Sequence, residues 1–266
     1  MKGRVLIIAG SDSGGGAGIQ ADIKAVTALG GYAATAVTAI TVQNTLGVFG
    51  VHPIPLDIVR DQIRVVMEDI GADALKTGML ATVETVETVA AAIDAYAQGR
   101  ALVVDPVMIA KGGHPLLEPR AQETVRTLML SRAALVTPNA PEAEALTGIV
   151  VADLDGQKHA AEKLLTLGAK AALVKGGHVD GPILRDVLAT HDGFTIFESA
   201  RIETRATHGT GCTLASAIAA KLAQGENLTE AVRAAREYLL EAIRRAPGFG
   251  TGYGPLDHGW TTRERG

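Results

Sequence analysis

The sequence predicts an α/β domain, a mostly parallel β-sheet covered by helices with an antiparallel hairpin at one edge. Two observations carry this. Short runs rich in β-branched residues alternate with longer stretches of helical periodicity, the pattern of a parallel sheet built from strand–helix–strand units. Over residues 186–203 that rhythm breaks into strand-like pieces on either side of His191-Asp192-Gly193, a hairpin turn signal.

Residues 5–9 form a buried strand, because the run Val5-Leu6-Ile7-Ile8-Ala9 is apolar without alternation. A glycine-rich turn and a helix over 18–29 follow. Residues 35–42 are a second strand, dense in β-branched side chains and ending at Gln43-Asn44. A helix spans 56–70, where Ile58, Val59, Ile63, Val66 and Ile70 recur at helical spacing. Then come a short strand over 74–77, a helix over 83–96 and buried strands over 102–105, 135–137 and 171–175. Two helices, 212–223 and 229–244, close the pattern, and the Gly/Pro-rich tail after Pro247 is irregular. No Pro/Ser-rich linker, internal repeat or low-complexity tract interrupts it, so residues 1–266 are read as one domain.

Composition narrows the function. Of 266 residues, 47% are hydrophobic and 20% charged, enough apolar material for a sizeable core. The net charge of −4 and the absence of any Lys/Arg cluster leave nucleic acids and membrane surfaces without an electrostatic footprint. A single cysteine excludes a disulfide framework and multi-cysteine metal sites. The opening residues imitate a signal peptide, with two cations before an apolar run, but the run stops at Gly10 and Asp12. With no stretch approaching the roughly 18 apolar residues of a membrane span, the expectation is a soluble, cytoplasmic protein.

In an open α/β sheet, ligands bind outside the carboxyl ends of the strands. The residues just after each predicted strand are polar and glycine-rich. The loop from Gly10 to Gly18 fits neither common phosphate-loop pattern, so a tight strand-to-helix turn and a close approach to a ligand both remain open. Asp22 lies on the following helix, either solvated or facing that loop. Thr207-His208-Gly209-Thr210-Gly211-Cys212-Thr213 precedes an apolar helix, where unpaired amides and the helix dipole make an anion seat. Cys212 at the helix start is expected to have a lowered thiol pKa. Asn139-Ala140-Pro141-Glu142 reads either as ordinary helix-start chemistry or as a holder of Mg²⁺ through water. Asp105, ending a buried strand, needs a partner. Lys175 enters a Gly-Gly turn suited to nucleotide phosphates, and Lys111-Gly112-Gly113-His114 suggests a lid; a solvated turn lysine accounts equally for either. The seven histidines show no zinc-ligand spacing.

Seven segments, in order, are AGSDSGGGAGIQADIK (9–24), TAITVQNT (38–45), KTGML (76–80), DPVM (105–108), TPNAPEAEAL (137–146), VKGGH (174–178) and THGTGCTLASAI (207–218). Together they resemble the hydroxymethylpyrimidine/phosphomethylpyrimidine kinases of thiamine biosynthesis, members of the ribokinase-like superfamily. The resemblance implies a three-layer α/β/α sandwich, usually a homodimer, and two ATP/Mg²⁺-dependent phosphorylations. The first would fall on the pyrimidine's hydroxymethyl group and the second on the resulting monophosphate. By the same resemblance, Gln43 would hydrogen-bond the aminopyrimidine edge, and Gly10, Asp22, Met79 and Val107 would line its pocket. Asp105, Asn139 and Glu142 would serve ATP and Mg²⁺, with Mg²⁺ reached through water from Glu142 and Asp105. Lys175 would face the phosphates, Gly209, Thr210 and Gly211 would form the anion hole with Cys212, and Cys212 would be the catalytic base where many superfamily members carry Asp. The nearest rival resemblance is pyridoxal kinase, one branch of which also carries the Gly-x-Gly-Cys turn. A non-catalytic vitamin-binding domain and a general sugar kinase stand further off.

Overall fold

The computed structural model describes residues 2–110 and 112–263. Strand β1 (Arg4–Ala9) leads into helix α1 (Gly18–Ala28) and returns as β2 (Tyr32–Val37), parallel to β1. Strands β3 (Ala39–Asn44) and β4 (Gly47–Pro53) then form a separate two-stranded flap. Helix α2 (Leu56–Asp69), β5 (Ala74–Thr77), α3 (Val83–Tyr96) and β6 (Ala101–Val104) follow. Helix α4 (Pro119–Thr124) continues through a π turn and a 3₁₀ turn to Arg132. Next come β7 (Leu135–Val136), α5 (Ala140–Thr147), α6 (Leu154–Thr166) and β8 (Ala172–Val174). The hairpin β9 (Ile183–Thr190) and β10 (Gly193–Ala200) precedes α7 (Thr210–Ala223), α8 (Leu228–Arg244) and the short α9 (Trp260–Arg263).

The main sheet has the order β10-β9-β8-β7-β6-β5-β1-β2, parallel from β2 to β8 and antiparallel at the β9–β10 edge. Both faces are covered, so buried strands carry no polar alternation. Leu6 and Ile8 of β1 pack with α2 and α3 side chains such as Val59, Ile63, Val86 and Val89. Val5 and Ile7 face the opposite layer, with Val26 of α1, Ile218 of α7 and Val232 of α8. This is the three-layer sandwich.

The predicted strand over 35–42 is corrected to two. Thr38 breaks it: its amide donates to Ala9 O and its hydroxyl to Met79 O at 2.7 Å, turning the chain out of the sheet. β3 then pairs with β4, with a bulge between Val42 and Gln43 that re-aims the following side chain. Helix α7 starts at Thr210, two residues earlier than predicted, which makes Cys212 its third residue. Of the predicted lid that begins at Lys111, that lysine lies outside the described residues; the Ala110 amide donates to His114 O at 2.8 Å. The tail after Pro247 is irregular up to α9 and is tied down, its Tyr253 amide donating to Thr45 O at 2.8 Å.

From β1 the chain crosses through α1 on one face to β2, and from β5 through α3 on the other face to β6. The strand order therefore reverses between β1 and β5, where a crevice opens at the strand ends.

Candidate active site

A single cleft of about 710 Å³ occupies that crevice and extends along the carboxyl edge of the sheet. Gly10, Gln43, Met79, Val107, Asp105, Asn139, Glu142, Lys175, Gly209, Thr210, Gly211 and Cys212 all border it. Asp22 does not, which corrects its expected place in the pocket wall. Its side chain is fully buried beneath the crevice, accepting from Lys76 Nζ at 2.9 Å through both oxygens and from Ser216 Oγ at 2.7 Å. A carboxylate at that depth requires such partners. Lys76, in the otherwise apolar β5, is itself fully buried; burial opposes its charge, but Asp22, with Cys212 and Asp105, raises its pKa overall and holds it protonated.

The glycine loop is organised by Asp12. One carboxylate oxygen accepts from Gly14 N at 2.8 Å, the other from Gly16 N at 3.0 Å, Ala17 N at 2.7 Å and His208 Nε2 at 2.8 Å. Burial alone would raise this carboxyl, but His208, the Ala17 amide and the Gln43 amide hold it at about 2. A carboxyl depressed on folding contributes stability above its ordinary range and loses it as pH falls through the folded value. Acid unfolding should therefore show a limb between about pH 4 and 2, of order 2 kcal/mol, that Asp12→Asn lacks; an unchanged acid titration of that variant would refute the assignment.

At the far side of the loop, Gly209 caps α7 with φ +78°, and a Cβ there would lie 1.9 Å from Gly16 O. A Cβ on Gly211 would come 3.2 Å from Lys175 Nζ. Glycine thus lets the helix start fold over the loop and lets the Lys175 ammonium approach the backbone. The amide of Thr210 donates to Thr207 O at 3.5 Å, leaving those of Gly211 and Cys212 as the open donors of a helix N-terminus. Beside them stands Cys212. Its thiol is not lowered as the helix start suggested: burial pushes it up to about 12, with Lys76 and the Gly18 amide opposing and Asp22 and Asp105 reinforcing. Desolvation wins over the dipole here.

Lys175 donates to Asp105 Oδ1 at 3.2 Å, and Thr137 Oγ1 donates to the same oxygen at 3.3 Å. Burial works against the Lys175 charge, but Asp105 and Glu142 raise its pKa overall. Asn139 and Glu142 form a capping box: Asn139 Oδ1 accepts from Glu142 N at 3.0 Å and Glu142 Oε2 from Asn139 N at 2.8 Å. Helix-start chemistry and a place on the cleft wall thus coexist in Glu142. Burial raises its carboxyl to about 7, against Lys175 and with Asp105.

Three features escaped the sequence reading. Asp12 and His208 lie in quoted motifs but are joined only by the fold. Lys76 had one signal, a cation inside an apolar strand. The third is an apolar wall of Leu184, Ile202, Leu239, Leu240 and Ile243 at the end beyond Lys175, three of whose members come from α8. There Arg236 donates to Asp186 at 2.7 Å, and Asp186 accepts from Gly176 N at 2.8 Å, fixing the turn after Lys175.

A polar ring-sized compartment at the β1–β5 switch, an anion seat beside a lysine, and an apolar slot beyond it are the arrangement of a small-molecule kinase. A family model described as phosphomethylpyrimidine kinase matches residues 12–257. The hydroxymethylpyrimidine/phosphomethylpyrimidine kinase of Bacillus subtilis is 46% identical over 256 residues, 96% of this chain and 94% of that one. The thiamine biosynthesis bifunctional protein ThiED of Geobacter sulfurreducens is 49% identical over 257 residues, 97% of this chain; the chain spans 52% of that longer protein. Among solved structures, an ADP complex of Bacillus subtilis pyridoxal kinase superposes with a TM-score of 0.90 at 37% identity, covering 97% of this chain and 98% of that one. The chain belongs to the phosphomethylpyrimidine kinase family, on a ribokinase-like fold.

Proposed function

We propose that this chain phosphorylates 4-amino-5-hydroxymethyl-2-methylpyrimidine with ATP, and then its monophosphate to the diphosphate, in thiamine biosynthesis. The observation that carries this reading is one continuous cleft joining the Gln43 amide to the Gly209–Thr210–Gly211–Cys212 turn and Lys175. Gln43 meets the edge of the aminopyrimidine, with Gly10, Met79 and Val107 around the ring. The hydroxymethyl arm points to Cys212 and the anion seat. The apolar slot takes the adenine, and Lys175, once a phosphate competes with Asp105 for it, draws the phosphates toward the turn. Phosphoryl transfer is dominated by positioning and charge stabilisation, and these residues supply both.

Among the described residues no three His, Cys, Asp or Glu side chains gather into a metal cage. Asp105 and Glu142 on the cleft wall fit a cation that keeps its waters and shares phosphate oxygens, and are the residues that would hold Mg²⁺. When bound it neutralises charge on the phosphates. The outer face of the flap exposes Ile40, Val42 and Phe49, at 46%, 62% and 67%, an apolar surface suited to the second copy of a homodimer.

Pyridoxal kinase is the second reading, favoured by the close superposition on that enzyme. Identity is higher to the pyrimidine kinases, at 46–49% against 37%. Mg·ATP turnover with hydroxymethylpyrimidine and with pyridoxal, following mono- and diphosphate products, separates the two. Pyrimidine diphosphate with little pyridoxal phosphate is the expected result; pyridoxal preferred, with no second phosphorylation, would overturn the substrate. In the same assay Gln43→Leu should lower the pyrimidine-to-pyridoxal ratio roughly 10- to 100-fold, since a site built to pair a polar edge loses its discrimination with the pairing group.

A further inference from the structure

The turn that carries Lys175 is made just after the chain leaves the sheet. Val174 is the last residue of β8 to pair with β9, opposite Val187. Lys175 N then donates to Pro138 O at 2.9 Å, on the β7 side. On the β9 side a side chain takes over from the ladder: Gly176 N donates to Asp186 Oδ1 at 2.8 Å. The fit is close, since a Cβ on Gly176 would lie 1.9 Å from Arg185 O. Gln157 of α6 closes the ladder from below, its Nε2 donating to Val174 O at 3.1 Å and to Arg185 O at 2.8 Å. Asp186 is 6% exposed, and a carboxylate so buried needs a partner. Arg236 of α8, 8% exposed, supplies it with Nε 2.7 Å from Asp186 Oδ2. The guanidinium also donates to Ser199 Oγ at 3.4 Å and lies 5.4 Å from the ring centroid of Phe197, which stands opposite Asp186 in the β9–β10 ladder. A buried ion pair adds little stability over apolar packing. What this one adds is a link, because Leu239, Leu240 and Ile243, one and two turns along α8 from Arg236, wall the apolar slot.

We propose that Asp186 and Arg236 are positioning residues for the nucleotide, holding the Lys175 turn in register with the α8 wall of the apolar slot. The inference rests on the reading that this slot takes the base and Lys175 the phosphates. Base and phosphates of one nucleotide are joined at a set span, so a wall and a lysine already held in register bind both without first ordering the turn. Without Arg236 the Asp186 carboxylate either takes a proton or swings to water, and in both cases its hold on Gly176 weakens. The turn then has to be ordered when the nucleotide binds, and affinity falls by that cost.

The test measures the Kd of Mg·ADP by titration calorimetry, and the KM for ATP and for hydroxymethylpyrimidine. The variants are Arg236→Met, Arg236→Lys, Lys175→Met and the Asp186→Leu/Arg236→Met double variant. Arg236→Met should weaken ADP binding and raise the KM for ATP about tenfold, the scale set by a buried polar group losing its fixed partner. The KM for the pyrimidine should stay within about twofold, and Arg236→Lys, which returns a cation to Asp186, should bind ADP within about threefold of the parent. The double variant strands no charge and should melt above Arg236→Met. It should bind ADP no better, because the Gly176 amide still lacks its acceptor. ADP affinity restored together with the melting temperature would show the pair to be structural and overturn the positioning role. Affinity unmoved in Arg236→Met but lost in Lys175→Met would overturn it too, leaving the phosphate reading intact. Affinity unmoved in Lys175→Met as well would remove the phosphate role of Lys175 and the proposal with it. Hydrogen exchange of the unaltered protein needs no variant to fold: the Gly176 amide proton should be protected with no nucleotide bound, and exchange at the rate of an open loop would refute the proposal.

Discussion

Cys212→Ala is expected to slow phosphorylation of the hydroxymethyl group roughly 10²–10⁴-fold, the usual span of general acid–base help, and to slow the second phosphorylation by less than about tenfold. The asymmetry follows from the two nucleophiles. A hydroxyl must shed its proton as the P–O bond forms, whereas a phosphate monoester offers an oxygen already ionised near neutral pH. Burial holds the thiol up at about 12, so the thiolate fraction rises tenfold per pH unit throughout the neutral range. If the thiolate is the base, kcat of the first step climbs with pH at that slope, and the climb disappears in the alanine variant. Separate single-turnover measurements of the two steps decide it. Equal losses in both would make Cys212 a wall of the anion seat, and losses under about threefold would make it structural.

The parts of this site legible in the sequence are those written locally. Glycines at 209 and 211 before an apolar helix, Lys175 at a strand end and the Asn139–Glu142 spacing each announce a turn at the carboxyl edge, and the alternation of strands and helices says which edge. What stayed hidden depends on partners distant in the chain. Asp12 and His208 meet across 196 positions, and no local pattern marks an aspartate that organises a loop through a histidine from the other end. The β-branched run over 35–42 hid the break at Thr38, because periodicity records strand character but not a change of pairing partner. The family resemblance put Asp22 in the pocket wall, while its helix position left it either solvated or facing the loop. Only the depth of Lys76 on the neighbouring strand shows that its carboxylate is turned down into the core.

That buried pair should dominate the stability of the domain. Lys76 and Asp22 are both fully inaccessible, with Nζ 2.9 Å from each carboxylate oxygen and Ser216 completing the set. Lys76→Met removes the cation and strands the carboxylate, an uncompensated charge that costs about 3–5 kcal/mol, or a fall in Tm of very roughly 6–20 °C for a domain of this size. Lys76→Met with Asp22→Leu removes both charges and should recover most of that loss, since a buried pair and a well-packed apolar replacement are often close in energy. A single variant within about 1 kcal/mol of the parent in denaturant unfolding would show that the pair carries little. The recovered double variant also isolates what the charge does for chemistry. Lys76 is the group that most favours the Cys212 thiolate. A double variant that folds like the parent but is slow in the first phosphorylation, with the second spared, places the lysine's function in the proton transfer. Equal rates in both steps would confine it to the core.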